Sequence, residues 1–408
     1  MNTVYRLFEG IGIELEYMIV DRSSTAVRAN ADALFAGVAG NGACDYTPGL
    51  IGWSNELARH VVELKNTTPI GDISGITALF HEQVREINRH LLPFDCRLMP
   101  GGMHPLMDPL RESALWPVDD ENIYRTYDRI FNCNGHGWTN LQSIHCNISF
   151  ADDEEFARLH TAIRLILPLL PALCASTPFV EGTFTGLLDN RLEFYRNNQK
   201  KIPLATGHVI PEAVFSRDEY EDTILQPLYR QIAPFDPDNV VQFEWLNSRG
   251  AIARFDRMAI EIRLMDIQEC PAVDCAVCAL VIETVKALAR EQLSTFALQR
   301  GFTEIELEHQ LLATIRDGCS TVVSNEDYLR ALGIHDRQSV PALAIWEMLT
   351  LKLLPENHFA RPGLQTILSK GTLARRMVDS TGPSPDREQL IALNNSLCDC
   401  LQENRPYA

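Results

Sequence analysis

Residues 10–17, Gly-Ile-Gly-Ile-Glu-Leu-Glu-Tyr, decide the fold, because they place two acids in an otherwise apolar run typical of a β-strand. Successive side chains of a strand point to opposite faces, so alternate residues share a face about 6–7 Å apart. Glu14 and Glu16 therefore lie on one face, and the apolar side chains lie on the other. Two carboxylates at this spacing repel each other unless a cation lies between them. The alternative is an amphipathic strand with a solvated acidic face.

Two further segments carry acids in the same way. Residues 54–66, SNELARHVVELKN, contain Glu63 in a strand pattern, and Glu56 precedes that strand in its approach loop. Residues 259–266, AIEIRLMD, place Glu261 two positions from an arginine. Carboxylates gathered from separate strands are poor stabilisers as bare charges, but they suit Mg²⁺ or Mn²⁺, which prefer oxygen ligands. Bound metals would hold polyphosphate oxygens, and neighbouring arginines would neutralise charge as a phosphoryl group leaves ATP.

Composition narrows the class of protein. The chain has 408 residues, 46% of them hydrophobic, so it can bury a large core. Its 36 basic and 54 acidic residues leave a net charge of −18, which argues against nucleic acid or an anionic membrane as the main partner. The pattern contains neither a Walker-type loop nor a dinucleotide fingerprint, so metals and sheet side chains would have to hold a nucleotide.

The start of the chain and its cysteines indicate a cytoplasmic protein. The N-terminus has no basic region followed by an apolar stretch and a cleavage site, so we expect no signal peptide. The most apolar helix-like run is too short to span a bilayer. Eleven cysteines are scattered along the chain, a pattern that favours buried reduced thiols over a metal site or a disulfide framework.

Other segments supply weaker candidates. Residues 142–150, QSIHCNISF, alternate so that His145 and Asn147 share a polar face, which is either exposed to solvent or turned into a wet site. Residues 97–105, RLMPGGMHP, predict a strand and a turn whose glycines let the backbone approach a ligand, with His104 as a weak candidate.

Basic residues are expected in a loop at 176–196. Arg191 and Arg196 would emerge from it among few counter-charges and contact a nucleotide or a substrate carboxylate. We also predict a mobile loop at residues 132–138 and a strand at residues 240–245.

Helix and strand patterns predict an α+β fold. Residues 72–92 read as a helix that Asp72 or Ser74 caps, and residues 249–266 as a hairpin-like strand pair. Four helices are expected in the last third of the chain, at residues 273–299, 304–317, 342–354 and 387–403. We expect one catalytic domain over residues 1–408, in which a sheet-rich part, 1–270, packs against a mainly helical part, 271–408.

Several motifs occur in an order that one family shares. They are G-I-E-L-E at 12–16, the E-x6-E of Glu56 and Glu63, G-x-H-P at 102–105, I-H-x-N at 144–147, S-x-P-F-x-x-G-x-x-T-G-x4-R at 176–191 and I-E-I-R-x-x-D at 260–266. In this order they resemble the glutamate–cysteine ligase family, specifically its second bacterial branch of carboxylate-amine ligases within the glutamine-synthetase-like superfamily.

The resemblance implies a twisted antiparallel sheet that forms a funnel-like half-barrel, with helices packed on its outer face. ATP would enter at one end and the amino-acid substrates at the other. The family reaction phosphorylates a glutamate side-chain carboxylate and lets an amine, most often cysteine, displace phosphate. Such a ligase would serve glutathione biosynthesis and would need ATP and Mg²⁺ or Mn²⁺.

The resemblance also implies roles for individual residues. The metal-binding acids would be Glu14, Glu16, Glu56, Glu63 and Glu261. The residues near the nucleotide would be His145 and Asn147, together with Arg254 and Arg263. The catalytic contacts to phosphate or carboxylate would be Arg191, Arg254 and Arg263.

Two other functions stay open at this stage. One is phosphoryl transfer to a small molecule without amide formation, as a kinase performs it. The other is a catalytically silent nucleotide-binding protein. In each case the partners are small molecules, and a homo-oligomer is compatible with the sequence.

Overall fold

A computed structural model describes residues 4–117 and 122–408. The strands in these ranges are β1 (Ile11–Asp21), β2 (Asp45–Tyr46), β3 (Ile51–Asn55), β4 (Val61–Asn66), β5 (Cys96–Met99), β6 (Ser143–Ser149), β7 (Phe179–Val180), β8 (Thr183–Phe184), β9 (Ala251–Arg254), β10 (Ala259–Asp266), β11 (Val322–Val323) and β12 (Val340–Pro341).

The first eleven helices of the described ranges belong to the sheet-rich part. They are α1 (Ala31–Ala39), α2 (Ile76–Leu91), α3 (Pro109–Glu112), α4 (Ile123–Phe131), α5 (His136–Thr139), α6 (Asp153–Ile166), α7 (Leu170–Cys174), α8 (Asn190–Tyr195), α9 (Pro203–Thr206), α10 (Arg217–Tyr220) and α11 (Gln226–Ile232). The later helices are α12 (Pro271–Ala289), α13 (Phe296–Gln299), α14 (Glu304–Asp317), α15 (Glu326–Ala331), α16 (Ala342–Leu353), α17 (Arg361–Lys370), α18 (Leu373–Thr381) and α19 (Arg387–Glu403).

An antiparallel sheet organises the molecule, and β1 lies at its centre. The strand order is β2-β3-β4-β1-β6-β10-β9. Strand β5 pairs with the C-terminal end of β1 on the edge opposite β4, because Met18 pairs with Val61 of β4 and with Met99 of β5. The sheet remains open and does not close into a barrel. The predicted α+β fold, a half-barrel of antiparallel strands with helices packed on its outer face, is confirmed.

The two faces of the sheet follow the predicted alternation. Ile13, Leu15 and Tyr17 of β1 are completely buried, as are Val62 and Leu64 of β4, because these side chains face the helices. The intervening acids face the other way. Burying one apolar face is therefore what fixes the direction of the acidic side chains.

Helices cover the apolar face. Helix α12 is buried along nearly its whole length and contacts α2, α6, α16 and α17. The Tyr17 hydroxyl of β1 donates a 2.7 Å hydrogen bond to Asp274 of α12, which ties the sheet to this layer. The main apolar core includes residues from both the sheet-rich and the helical part.

The stretch Asp153–Cys174 is long and apolar enough for a membrane span by length and composition, but 94% of its most apolar window is buried inside the protein. Asp152 caps it by accepting from the Glu155 amide, as the sequence predicts. A 3-10 turn at Leu167–Leu169 interrupts it, because Pro168 removes a backbone donor. Burial in the helical layer accounts for its composition.

Three local predictions are wrong. Residues 240–245 form no strand, and the chain instead makes a 3-10 turn at Glu244–Leu246. Residues 132–138 are not simply a loop, since α5 begins at His136. Helix α2 begins at Ile76 rather than near residue 72, because Asp72 accepts hydrogen bonds from Ser74 in a preceding turn.

Candidate active site

Strand register brings the acids of distant segments together. Glu14 lies directly opposite Lys65 of β4 on one side and His145 of β6 on the other. Glu16 lies opposite Glu63, a pairing of like charges that destabilises a sheet. On the far side of β6, Glu261 lies opposite Asn147.

These side chains border a cavity of about 400 Å³ on the polar face of the sheet. The predicted site residues that border it are Glu14, Glu16, Glu56, Glu63, Glu261, His145, Arg191, Arg254 and Arg263. Asn147 lies next to the cavity and donates a 3.1 Å hydrogen bond to Glu14. Residues separated by up to 249 positions in sequence, from Glu14 to Arg263, thus converge on one site.

Two triads in the cavity have the geometry of a cation site. Ligand atoms of Glu16, Glu56 and Glu63 lie within 4.8 Å of one another, and so do those of Glu14, Glu63 and His145. Glu63 belongs to both triads. It accepts hydrogen bonds from Ser54 and from the ammonium of Lys65.

The crowding of carboxylates raises the pKa of two of them. Burial, followed by the charges of Glu16 and Glu63, raises the pKa of Glu56 well above its usual value. Burial and the charge of Glu14 raise the pKa of Glu63 to about 7. The charged forms of Glu56 and Glu63 are therefore unfavourable without a further compensating cation.

His145 is a basic residue that lies among the acids of the cavity. Its Nδ1 lies 3.0 Å from Glu14 Oε2, and its Nε2 lies 2.8 Å from Ser143 Oγ. Burial alone would lower the pKa of His145, but the hydrogen bond to Glu14 and the charges of Glu16 and Glu261 raise it to about 9. The imidazole therefore carries a proton and balances part of the negative charge.

Glu16 is positioned by the start of β6. The Ser143 amide donates a 2.7 Å hydrogen bond to Glu16 Oε2, and the Ser143 hydroxyl lies 3.1 Å from the same oxygen. This contact holds one oxygen of Glu16 against the sheet. The second oxygen, Oε1, lies 3.8 Å from His145 Nε2.

A bulge in β10 sets the direction of Arg263. Ile262 pairs with Cys146 but Met265 pairs with Ile144, so Arg263 and Leu264 together oppose His145. The guanidinium of Arg263 forms an ion pair with Glu261, and Arg254 NH1 lies 3.8 Å from the other oxygen of that acid. Two guanidinium groups thus flank one acid at the edge of the carboxylate cluster.

Arg191 borders the cavity but its charge is engaged elsewhere. Its side chain is 2% exposed and forms an ion pair with Asp266. Asp266 also accepts from the Ser176 amide at 2.8 Å and the Thr177 hydroxyl at 3.2 Å. Arg196 pairs with Glu193. The expectation that these arginines lie in a loop among few counter-charges is wrong, since a carboxylate distant in sequence reaches Arg191.

The glycine turn at residues 101–102 does not approach the cavity. A Cβ at Gly102 would lie 2.8 Å from Asp266 Cγ, so this glycine permits close packing on the Arg191 partner. His104 is 2% exposed, and its Nε2 lies 2.7 Å from the Thr25 carbonyl. The expectation that this turn offers its backbone and His104 to a ligand is therefore wrong.

Comparison with known proteins agrees with this geometry. The family described as glutamate-cysteine ligase family 2 matches residues 10–390. The chain belongs to this family. The match continues past residue 270 into the helical part, beyond the motifs that carry the resemblance. Family membership makes the protein an ATP-dependent ligase that forms a carbon–nitrogen bond.

One relative also spans nearly the whole chain. A protein of Archaeoglobus fulgidus described as uncharacterized is 32% identical over 397 residues, which cover 97% of this chain and 100% of that protein.

Two solved structures share the fold. The bifunctional glutathione synthetase of Pasteurella multocida superposes with a TM-score of 0.62 at 15% identity, over 97% of this chain and 53% of that one. The glutamate–cysteine ligase of Francisella tularensis in complex with AMP has a TM-score of 0.61 at 12% identity, over 98% of this chain and 90% of that one. This chain therefore spans about half the length of the bifunctional protein.

The cavity of the ligase includes residues that the motifs do not reveal. Lys65 could have been found, because it shares a strand face with Glu63, and Ser143 shares a face with His145. Tyr127, Trp138 and Trp245 also border the cavity. They come from separate segments with no common spacing, so no local signal identifies them.

Proposed function

We propose that this ligase uses ATP and Mg²⁺ or Mn²⁺ to activate the γ-carboxylate of glutamate and joins it to an amine such as cysteine. The observation that carries the proposal is the pair of triads that share Glu63 in the cavity of a chain from this family. A role in glutathione biosynthesis and a cytoplasmic location are part of the same proposal.

The donor set of the cavity fits a hard divalent cation. The triad of Glu16, Glu56 and Glu63 offers oxygen ligands only, which suit Mg²⁺ or Mn²⁺ better than zinc. The raised pKa of Glu56 and of Glu63 reflects burial and, after it, repulsion between carboxylates, which bound cations would offset. Glu14 and Glu261 border the same cavity and complete the proposed set of ligands. Bound cations would neutralise the oxygens of a transferring phosphoryl group.

The arginines of the cavity would bind the anionic substrates. Arg254 and Arg263 lie at the edge of the carboxylate cluster, where they can contact phosphate oxygens and stabilise charge as the phosphoryl group moves. His145 and Asn147 hold Glu14 in place, which keeps one proposed ligand oriented. Arg191 is paired with Asp266, so it offers no unpaired charge to a substrate. It would contribute instead by shaping the cavity wall.

The chemistry requires no enzyme nucleophile. A carboxylate oxygen of the substrate attacks the γ-phosphorus of ATP and ADP leaves, which gives an acyl phosphate. The amine nitrogen then attacks the carbonyl carbon, phosphate departs, and the nitrogen loses a proton. The site must therefore position both substrates and exclude water from the acyl phosphate.

Release of ADP and phosphate tests the proposal. Purified protein with Mg²⁺ or Mn²⁺ is presented with a panel of carboxylates and amines, and product mass is measured by mass spectrometry. We expect turnover that depends on both substrates. The mass of the product should equal the mass of the donor plus that of the amine minus one water. A phosphorylated small molecule without an amide would identify a kinase instead. ATP binding without turnover for any pair would contradict the proposed ligase.

A further inference from the structure

The acidic face of the cavity carries an ammonium group of its own. Lys65 lies two residues after Glu63 on β4 and directly opposite Glu14 of β1. Its ammonium forms an ion pair with Oε2 of Glu63, and both side chains border the cavity. The side chain of Lys65 is 43% exposed, whereas that of Glu63 is 6% exposed. The lysine therefore reaches from the open part of the cavity onto a buried carboxylate.

Glu63 is the acid that the two triads share, and one of its oxygens is already occupied. Oε2 accepts a 2.5 Å hydrogen bond from the Ser54 hydroxyl and a second hydrogen bond from Lys65. A carboxylate oxygen has two lone-pair sites, so these two donors fill the sites of Oε2. Oε1 is then the oxygen that remains for a cation. While Lys65 is in place, Glu63 cannot give each triad an oxygen of its own.

The mixed triad, which consists of Glu14, Glu63 and His145, lies along the row of residues that contains the ammonium. Glu14 pairs with Lys65 on one side and with His145 on the other, so these three residues form one row across three neighbouring strands. Ligand atoms of the mixed triad lie within 4.8 Å of one another. A divalent cation bound there would share Glu63 with the ammonium, and like charges at such short range repel each other.

The all-carboxylate triad, which consists of Glu16, Glu56 and Glu63, is the more favourable place for a divalent cation. Its three ligand groups are acids, and Glu16 lies directly opposite Glu63 in the sheet. A cation at this triad can use the free Oε1 of Glu63. The two triads are therefore unequal in charge before any cation binds.

We propose that Lys65 is a built-in cation that competes with a divalent cation for Glu63. The inference rests on the proposed function, under which the carboxylates bind Mg²⁺ or Mn²⁺. The first divalent cation binds the all-carboxylate triad while Lys65 stays on Glu63. A second one binds the mixed triad only when it displaces the ammonium from Oε2. Lys65 thereby sets the cation concentration at which the cavity is fully loaded.

Titration calorimetry with MnCl₂, in the absence of nucleotide and substrates, tests this role. Lys65→Met and Lys65→Gln remove the ammonium, and two neutral variants of different shape separate the effect of charge from that of packing. Lys65→Arg keeps the positive charge. The matched control is Lys286→Met, because Lys286 also pairs with a glutamate of its own element, Glu283 at 3.0 Å, and lies outside the cavity lining.

The wild type should bind one Mn²⁺ tightly and a second one more weakly. Removing a unit positive charge a few ångströms from a divalent cation should tighten the second event by at least about 10-fold in both neutral variants. Lys65→Arg and Lys286→Met should titrate like the wild type. Neutral variants with wild-type or weaker Mn²⁺ affinity would overturn the proposal, and so would an equal gain in Lys286→Met.

A double variant identifies the triad that gains affinity. Adding Glu14→Gln to Lys65→Met should cancel the gain, because Glu14 belongs to the mixed triad alone. Adding the exposed change Glu154→Gln to Lys65→Met should leave the gain intact. A gain that persists without Glu14 would contradict competition at the mixed triad.

The binding measurements do not depend on turnover. If the neutral variants bind the second Mn²⁺ more tightly but the wild type forms no amide with any substrate pair, the proposed function fails while the role of Lys65 stands. If the wild type forms amides while the neutral variants titrate as it does, only the role of Lys65 fails. Absence of Mn²⁺ binding by every protein would overturn both.

Discussion

The carboxylate face of the sheet and the apolar layer behind it impose opposite charge states on the same type of side chain. Burial lowers the pKa of His160 in the helical layer to about 3, so its imidazole is neutral. His145 is largely buried, with 15% of its side chain exposed, but three glutamates raise its pKa to about 9. The difference teaches that burial alone does not mark the functional face. An excess of one charge does.

Buried ion pairs show the same contrast. At the cavity wall, Arg191 is matched by Asp266, which also accepts hydrogen bonds from Ser176 and Thr177. On the functional face, Glu63 shares one lysine with other acids, and Glu16 lies opposite Glu63. The matched pair stabilises the fold, whereas the unmatched cluster destabilises it and is suited to bind cations.

The largest effect is expected from breaking the matched pair. Arg191→Met leaves Asp266 buried without its cation, and the loss of a buried partner typically costs about 3–5 kcal/mol of unfolding free energy. Urea unfolding at pH 7.5 measures this loss of unfolding free energy. Arg196→Met is the control, since Arg196 pairs with Glu193 near the surface and its removal should cost less than about 1 kcal/mol. Equal stability of the two variants would show that the Asp266 pair is not structural.

The second-largest effect should be a loss of unfolding free energy at acid pH, caused by His160 in the apolar layer. The pKa of His160 is about 3 in the folded protein and about 6.5 in an unfolded chain, so the unfolded chain takes up the proton first. Its stabilising contribution is complete above pH 6.5 and is lost as the pH falls toward 3, by about 3 kcal/mol at pH 4. Urea unfolding between pH 7 and 4 should therefore show a smaller loss for His160→Gln than for the wild type. Parallel pH profiles would mean that folding does not shift the pKa of His160.

On the unmatched face, Glu16→Gln should remove activity without removing stability. The amide oxygen can still accept from the Ser143 amide, but the variant loses a proposed ligand charge and no core volume. We expect ATP turnover to fall by at least about 100-fold, since a metal contributes several kcal/mol to charge stabilisation. The exposed acid variant Glu154→Gln serves as the control. A near-normal rate for Glu16→Gln would contradict the metal assignment.

The smallest effect is a gain in stability. Burial and the charges of Glu16 and Glu63 disfavour the charged form of Glu56, so Glu56→Gln should stabilise the metal-free protein by about 1 kcal/mol at pH 7.5. Thermal unfolding in EDTA measures this gain, and a repeat in excess Mg²⁺ should reverse the order of the two proteins. A destabilised variant in EDTA would mean that Glu56, like Asp266, has a cationic partner.

Sequence patterns were sufficient where a property depends on neighbours in the chain. Alternation in β1, β4 and β6 correctly assigned Glu14, Glu63 and His145 to one polar face. The Asp152 cap follows from local hydrogen bonding in the same way. Patterns failed where a partner is distant. The isolation predicted for Arg191 was wrong, because Asp266 lies 75 residues away along the chain.

The amino-acid sequence by itself determined the strand faces, the family and the set of acids, because side-chain alternation and ordered motifs are local properties. Tertiary structure alone decided which residues are opposite one another. Register placed Glu16 against Glu63 and Lys65 against Glu14, and packing closed Arg191 onto Asp266. Three distant segments brought Tyr127, Trp138 and Trp245 to the cavity. These pairings depend on burying the apolar face of the whole sheet at once, which no short segment can specify.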